Sequence, residues 1–369
     1  PASDDVGAFL SSPFAWCSEH ERKLLLGNII EDPAAGEDPG DECGGLSADQ
    51  MFETRQCAEL QKLLSRELGL PTCVFAHEKF VAVGTIRGAV VLVDPKLRDV
   101  GAQPQVLCPP SNEEGAAVTS AACSSDGSSI LLGHKNGHLS LWDLGTQKLA
   151  QSVKDVHKSS VLSVAFTRAS WQYTLSADAG GTVHFLSFTS TFGRRDYSSQ
   201  LLLDKASNIG VTLRISPLPP MPHQATHPAD THCLVALCAT NATVLLTLHP
   251  SPKLLQKMQY NTKDAAGHAT WVPDVAWLRP EIQDPSESEK PIDPRLCIAF
   301  GQTIHIMRIS YEADEFKIKL IHRYTWSAPI WSITAFNEGL FGVLDTSDKL
   351  SVVQLPPPLE GDRPAGAPE

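Results

Sequence analysis

The sequence has no apolar run of the length that a membrane-spanning helix requires, about 18 residues or more. Its greasiest stretch, residues 234–248, is interrupted by Thr240, Asn241 and Thr243. It also lacks a basic excess, with 30 Lys and Arg against 42 Asp and Glu and a formal net charge of -12. A protein that tracks a nucleic-acid backbone needs a cationic footprint to displace counterions, so no nucleic-acid partner is expected. No Gly-rich phosphate loop, nucleophile elbow or Cys-x-x-Cys pair occurs, which leaves nucleotide, ester and thiol-redox chemistry without their usual sequence supports. The nine cysteines follow no framework of spacings, and an odd, scattered set suits a reducing compartment. Cys73, Cys108, Cys123, Cys238 and Cys297 lie inside or beside apolar runs, as buried free thiols do. The chain opens at Pro1 with no initiator Met and no basic-then-apolar leader. A cytoplasmic protein, cut from a longer one, is the expectation.

What is present is an ordinary globular composition, 42% hydrophobic and 20% charged. Residues 1–46 hold turn-forming clusters such as Asp38-Pro39-Gly40 and much of the acid, including Glu31, Asp32, Glu37 and Asp38. They read as an irregular, solvated segment. At 47–70 the pattern changes to an amphipathic helix: Ser47 with Gln50 forms a capping box, Leu60, Leu64 and Leu68 recur at helical spacing, and Gly69 and Pro71 stop it.

From residue 71 to 355 short apolar runs recur in pairs around tight turns, which is hairpin grammar. The turn glycines Gly88, Gly137 and Gly181 give periods of 137 minus 88, or 49, and 181 minus 137, or 44. A four-stranded propeller blade takes about 40 to 45 residues. Nearly unbroken apolar strands also fit a sheet covered on both faces. The expected fold is therefore all-β, a divergent WD40-like β-propeller of about six recognisable blades, with a Pro-rich disordered tail at 356–369. The sixth unit shows no fourth strand before that tail. A propeller must close on itself or leave an edge, so that strand has to come from the N-terminal segment, a partner, or residues outside this sequence.

Unit two, with Gly133-His134, Gly137 and Leu141-Trp142-Asp143, resembles a WD40 repeat, and Asp155-Val156-His157 resembles the lead-in to the next. In WD40 domains a strand Ser or Thr, a turn Asp, a His and a Trp form a hydrogen-bonded network. Here unit two keeps Trp142 but has Leu132 and Asn136 at the Ser and Asp places, while unit three keeps His157 and Ser176 but has Gly180 and Leu186. The incomplete sets imply blades that rely on apolar packing instead.

The run Phe80-Val81-Ala82-Val83-Gly84-Thr85 with Gly88, then Leu131-Leu132-Gly133 with Gly137-His138-Leu139-Ser140-Leu141-Trp142-Asp143-Leu144, resembles the vacuolar protein sorting-associated protein 8 family between about residues 71 and 355. That resemblance implies a seven-bladed amino-terminal propeller, followed in the family by a helical solenoid and a RING-like zinc module that this sequence does not contain. It implies a non-catalytic docking scaffold of the CORVET complex, engaged in vacuolar protein sorting. The implied partners are an activated early-endosomal Rab GTPase and other tethering-complex subunits, with peripheral attachment to early endosomes through them and no cofactor. Two other readings stand beside it. One is a WD40 scaffold of another trafficking complex, a late-endosomal tether or a coat. The other is a propeller hydrolase with carboxylates around the central channel, against which the inner-strand candidates at 118–123 and 161–166 carry no Asp or Glu.

The remaining motifs are modest. His134 and His138 flank a tight turn, and a hairpin explains them better than a metal, which needs at least three ligands. His223, His227, His232 and Cys233 fall in a Pro-rich insertion but match no familiar site spacing. Asn241-Ala242-Thr243 fits the glycosylation pattern, yet sits where a hairpin turn is expected. Phe192-Gly193-Arg194-Arg195-Asp196 is a basic knot on an acidic chain. It reads as a solvated loop or, because Arg is favoured at interfaces, as a contact site for a GTPase or an anionic lipid headgroup.

Overall fold

The computed structural model describes residues 58–94, 104–109, 115–167, 172–191, 194–219, 227–260, 272–278, 293–336, 340–347 and 349–355. Within them a short helix, α1 (Ala58–Leu63), runs into one π turn (Leu64–Leu68) and ends at Gly69, whose φ of 79° is the left-handed region that glycine enters freely. The expected segment at 1–46, the first part of the expected helix, and the tail at 356–369 lie outside the described residues.

Six antiparallel sheets follow in chain order. Blade 1 holds β1 (Pro71–Ala76), β2 (Val81–Thr85), β3 (Val90–Val93) and β4 (Gln105–Leu107); blade 2 holds β5 (Val118–Cys123), β6 (Ser129–His134), β7 (Leu139–Asp143) and β8 (Lys148–Val153). Blade 3 is β9 (Val161–Phe166), β10 (Tyr173–Asp178), β11 (Val183–Thr191) and β12 (Arg194–Leu203). Blade 4 is β13 (Thr212–Pro217), β14 (Leu234–Ala239), β15 (Ala242–Thr247) and β16 (Lys253–Gln259). Blade 5 is β17 (Asp274–Leu278), β18 (Arg295–Phe300), β19 (Thr303–Glu312) and β20 (Glu315–Thr325). Blade 6 has three strands, β21 (Ile330–Ala335), β22 (Leu340–Asp345) and β23 (Leu350–Gln354). Neighbours pack through their first strands, β1 on β5, β5 on β9, β9 on β13, β13 on β17 and β17 on β21, which gives the radial arrangement of a propeller.

The nearly unbroken apolar strands follow from this stacking. Successive side chains point to opposite faces of a sheet, so Val235, Leu237 and Ala239 of β14 enter a core shared with blade 3 while Leu234, Ala236 and Cys238 enter one shared with blade 5. Each fully buried Leu or Val contributes about 1.5–3 kcal/mol, and neither face is left to water. Blade 1 departs from the rule on one side: Val81, Val83, Val91 and Val93 are covered by Leu60, Leu64 and Leu68 from α1 and its π turn rather than by another sheet.

A bulge recurs near the start of the inner strands, where the register skips one residue at Thr72, Thr119, Leu162, Leu213 and Trp331. In blades 2 and 3 the residue after it reaches the next blade: Ser120 accepts from the Val164 N–H and Ser163 from the Ile215 N–H, both at 3.0 Å. In blade 5, whose first strand pairs without a register shift, Asp274 accepts from the Ile333 N–H at 2.9 Å. Among the described residues no such bond joins β21 to β1. The residue that receives this contact is 1% exposed at Ile333 but 43% exposed at Val74. Among the described residues, the junction between blade 6 and blade 1 is thus the one without an inner-strand hydrogen bond.

Cys73, Cys238 and Cys297 are buried as expected, and burial pushes the Cys73 and Cys238 thiols up to about 12. Cys108 is exposed instead, because it lies just past the three-residue β4 rather than within a covered strand. No helix among the described residues is long and apolar enough to cross a membrane.

Blade-to-blade approach depends on Gly133, where an added Cβ would stand 2.5 Å from Val161 Cγ1 of the next blade. Gly133→Ala is expected to cost about 1–3 kcal/mol by overpacking. Gly145→Ala, whose nearest neighbour would be Asp143 Oδ1 at 3.5 Å, is the control and should leave the urea midpoint unchanged.

Candidate functional site

The polar residues singled out in the repeats gather in two buried clusters. In blade 3, His157 Nε2 lies 2.7 Å from Ser176 Oγ, and His157 Nδ1 lies 3.3 Å from both Asp178 Oδ2 and Thr182 Oγ1. With Nδ1–H turned to the carboxylate, Nε2 accepts from the serine hydroxyl. Asp178 also receives Ser159 Oγ at 3.0 Å and the Thr182 N–H at 2.9 Å. Burial alone would raise the Asp178 carboxyl, but hydrogen bonds from the His157 ring and from the Thr182 N–H and hydroxyl bring it down to about 2.

Ser, His and Asp in this order are the parts of an acyl-transfer triad. The surroundings assign them another role. Ser176 is 0% exposed and Asp178 2% exposed, so no substrate atom reaches the hydroxyl. The cluster instead ties the loop before β9 to β10 and to the turn that follows it, satisfying groups that would otherwise be buried unpaired.

Blade 2 is less complete. Gly137 adopts φ 87°, and a Cβ there would meet His157 O at 2.7 Å, so both the turn and the neighbouring blade demand glycine. Asp143 Oδ1 accepts from the Thr146 N–H at 2.9 Å and closes the β7–β8 turn. His134 links Ala116 O, 3.1 Å from Nδ1, to Ser140 Oγ, 2.8 Å from Nε2. Trp142 is buried in the core between blades 1 and 2, and its indole N–H has no hydrogen-bond partner among the described residues. Leu132 stands where the repeat pattern has a serine, so blade 2 packs its tryptophan without tethering it.

A third polar cluster joins the inner strands of blades 4, 5 and 6. Asp274 of β17 receives Arg214 Nη1 of β13 at 2.5 Å, Ser332 Oγ of β21 at 2.8 Å, and the backbone N–H groups of Val275 and Ile333 at 2.9 Å each. Sequence reasoning that inspected only residues 118–123 and 161–166 missed this inner-strand acid. Among the described residues Asp274 is the one carboxylate on the six inner strands, and four donors occupy it. Glycoside hydrolysis needs two carboxylates; the described inner strands supply this one, and its bonds lock three blades together.

Sequence reasoning also missed Asp178. The acid was sought at Gly180, two residues too late; the signal was the Asp178-Ala179-Gly180-Gly181 turn itself, in which Asp178 accepts the Gly181 and Thr182 N–H groups. Blade 3 therefore holds a hydrogen-bonded set rather than apolar packing alone.

The other candidates are dispersed. His138 lies half-buried beside the exposed Asn136. His227 caps the one-turn helix α2 (Pro228–Thr231) through Nδ1 and faces Asp293 at 3.4 Å through Nε2, while His232 packs on Tyr311 and Phe316. His223 is outside the described residues. Among those described, no three His, Cys, Asp or Glu side chains are placed to hold a metal ion. Asn241 occupies the tight β14–β15 turn, with Thr243 buried behind it. Arg194 and Arg195 are the first residues of β12, paired with Thr191 and Ser190 at the tip of the outer hairpin of blade 3.

Comparison with known proteins gives a consistent picture. The family model described as the Vps8 beta-propeller matches residues 55–356. Vacuolar protein sorting-associated protein 8 homologs of Mus musculus and Homo sapiens are each 26% identical over 296 residues, covering 78% of this chain. The chain spans only 19% of the length of either relative. Among solved structures, the WD40 β-propeller domain of Doa1 aligns at 14% identity and a TM-score of 0.47, covering 79% of this chain and 80% of that one.

Two measurements test the polar clusters. Because the folded Asp178 carboxyl is depressed to about 2 from 3.8, its stabilisation is present above about pH 4 and is lost as pH falls through about 2. Asp178→Asn should lower the urea midpoint at pH 7 and flatten its decline between pH 5 and 3; an unaltered slope would refute the assignment. Trp142→Phe removes a buried orphan donor worth about 1–3 kcal/mol and should leave Tm equal or higher, whereas Trp142→Ala should cost about 3–5 kcal/mol.

Proposed function

This chain belongs to the Vps8 β-propeller family, and from that membership we propose that it is the docking propeller of an endosomal vesicle-tethering subunit, working by surface complementarity rather than bond chemistry. Its partners in this reading are an activated early-endosomal Rab GTPase and the other subunits of a CORVET-like complex, through which it attaches peripherally to early endosomes. The observation that carries the reading is the family match across residues 55–356. The geometry agrees with it, because the buried polar clusters are consumed in joining blades and leave the exposed turns and outer strands for partners. Loops held on a rigid scaffold are where recognition concentrates.

Arg194 and Arg195 are the contact we assign to the GTPase. They stand at the tip of a hairpin whose strands run nine and ten residues, longer than those of blades 1, 2 and 4. Arg is well suited to interface ion pairs and bidentate hydrogen bonding.

A pull-down of the chain against a panel of Rab proteins loaded with GTP or GDP tests this. Retention of a GTP-loaded early-endosomal member is expected, and Arg194→Glu with Arg195→Glu should reduce it about tenfold or more. Preference for a late-endosomal member would transfer the chain to another tether, and indifference to nucleotide would sink the GTPase reading.

A further inference from the structure

Blade 5 aligns cations across three neighbouring strands. The register sets Arg295 of β18 opposite Arg308 of β19, and Arg308 opposite Lys319 of β20; one step along the same face Ser310 faces Lys317. Four cations thus lie in two adjacent rows across three strands, on a chain whose net charge is -12. The face is the one turned towards blade 6, since Cys297, Ala299, Ile304 and Ile306 on it enter the core with that blade. Like charges directly opposite on a sheet are destabilising.

Lysines on an outer strand commonly prevent edge-to-edge pairing, which would account for Lys317 and Lys319. It does not account for Arg295 and Arg308, because β18 and β19 are flanked by strands on both sides. Asp293 Oδ2 lies 3.9 Å from Arg308 Nε, and Glu312 pairs with Lys317 at 2.6 Å. The Arg308 side chain is 26% exposed and that of Lys317 59% exposed, so exposure rises from β19 towards β20, the outermost strand of this sheet among the described residues. That strand is 11 residues long.

We propose that this edge is a docking site for an acidic extended peptide, which adds as a strand alongside β20 and sets its carboxylates over Lys317 and Lys319 with Arg308 behind them. Strand addition supplies main-chain hydrogen bonds, and side chains at alternate positions supply the selectivity. A flat anionic membrane is the poorer fit, because Arg308 is only 26% exposed, within reach of a single peptide side chain but not of a flat surface.

The test is fluorescence anisotropy with a labelled synthetic peptide alternating Glu with Thr or Val, and a companion with Lys in place of Glu. The acidic peptide should bind, weaken as salt rises, and lose about tenfold in affinity for Lys317→Glu with Lys319→Glu. Lys317→Ala with Lys319→Ala should show a smaller loss, and guards against misfolding of the reversed pair. Lys148→Glu with Lys253→Glu, on the outer strands β8 and β16, should bind as the parent does. The proposal fails if the acidic peptide does not bind, if the lysine companion binds equally, if both reversals weaken binding alike, or if phosphatidylserine vesicles are captured and the peptide is not.

Discussion

Alternate residues of each blade strand belong to different hydrophobic cores, and the rest of the architecture depends on that division. Ile130 and Leu132 face blade 1 while Leu131 faces blade 3, and Leu296 and Ile298 face blade 4 while Cys297 faces blade 6. A strand that serves two cores has no solvent face, so a polar side chain enclosed there, such as Ser163 or Ser176, needs a partner within the stack. This need explains why the hydrogen-bonded clusters at His157 and Asp274 sit where blades meet. They satisfy the few polar groups that the stacking has enclosed, and an enclosed donor or acceptor without a partner costs about 1–3 kcal/mol.

The same division decides how much was legible from residues alone. Propeller architecture was readable because two-faced burial writes a continuous apolar run, and the turn glycines at 88, 137 and 181 mark its period; each has φ near 80°. Gly69 announced the end of the helical segment for the same backbone reason. The interior polar sites were harder. Asp178 was overlooked because the pattern was matched position by position, whereas the carboxylate enters the cluster from the first residue of a turn and not from its third. Asp274 was overlooked because its partners, Arg214 and Ser332, are 60 and 58 residues away. No local pattern encodes a contact between the inner strands of three successive blades.

The bulge found in the inner strands of every blade but the fifth connects these observations. By skipping a residue at Thr119 or Leu162, the strand turns Ser120 or Ser163 towards the backbone of its successor. Where blade 4 has Arg214 in that place, which cannot accept a hydrogen bond, the joint is remade as an ion pair with Asp274. The lock therefore tolerates different chemistry so long as the backbone geometry recurs. This tolerance lets the repeats drift in sequence while the blades keep their spacing.

The joint between blade 6 and blade 1, bare at Val74 and spanned by no inner-strand hydrogen bond among the described residues, makes the first and sixth sheets the two ends of the described stack. A closed ring must break two interfaces before any blade is released, but a ring with ends behaves as a one-dimensional stack whose terminal members have a single neighbour each. Unfolding then has a direction: it frays inward from the first and sixth sheets, and blades 3 and 4, farthest from either end, are the last to exchange their amide protons.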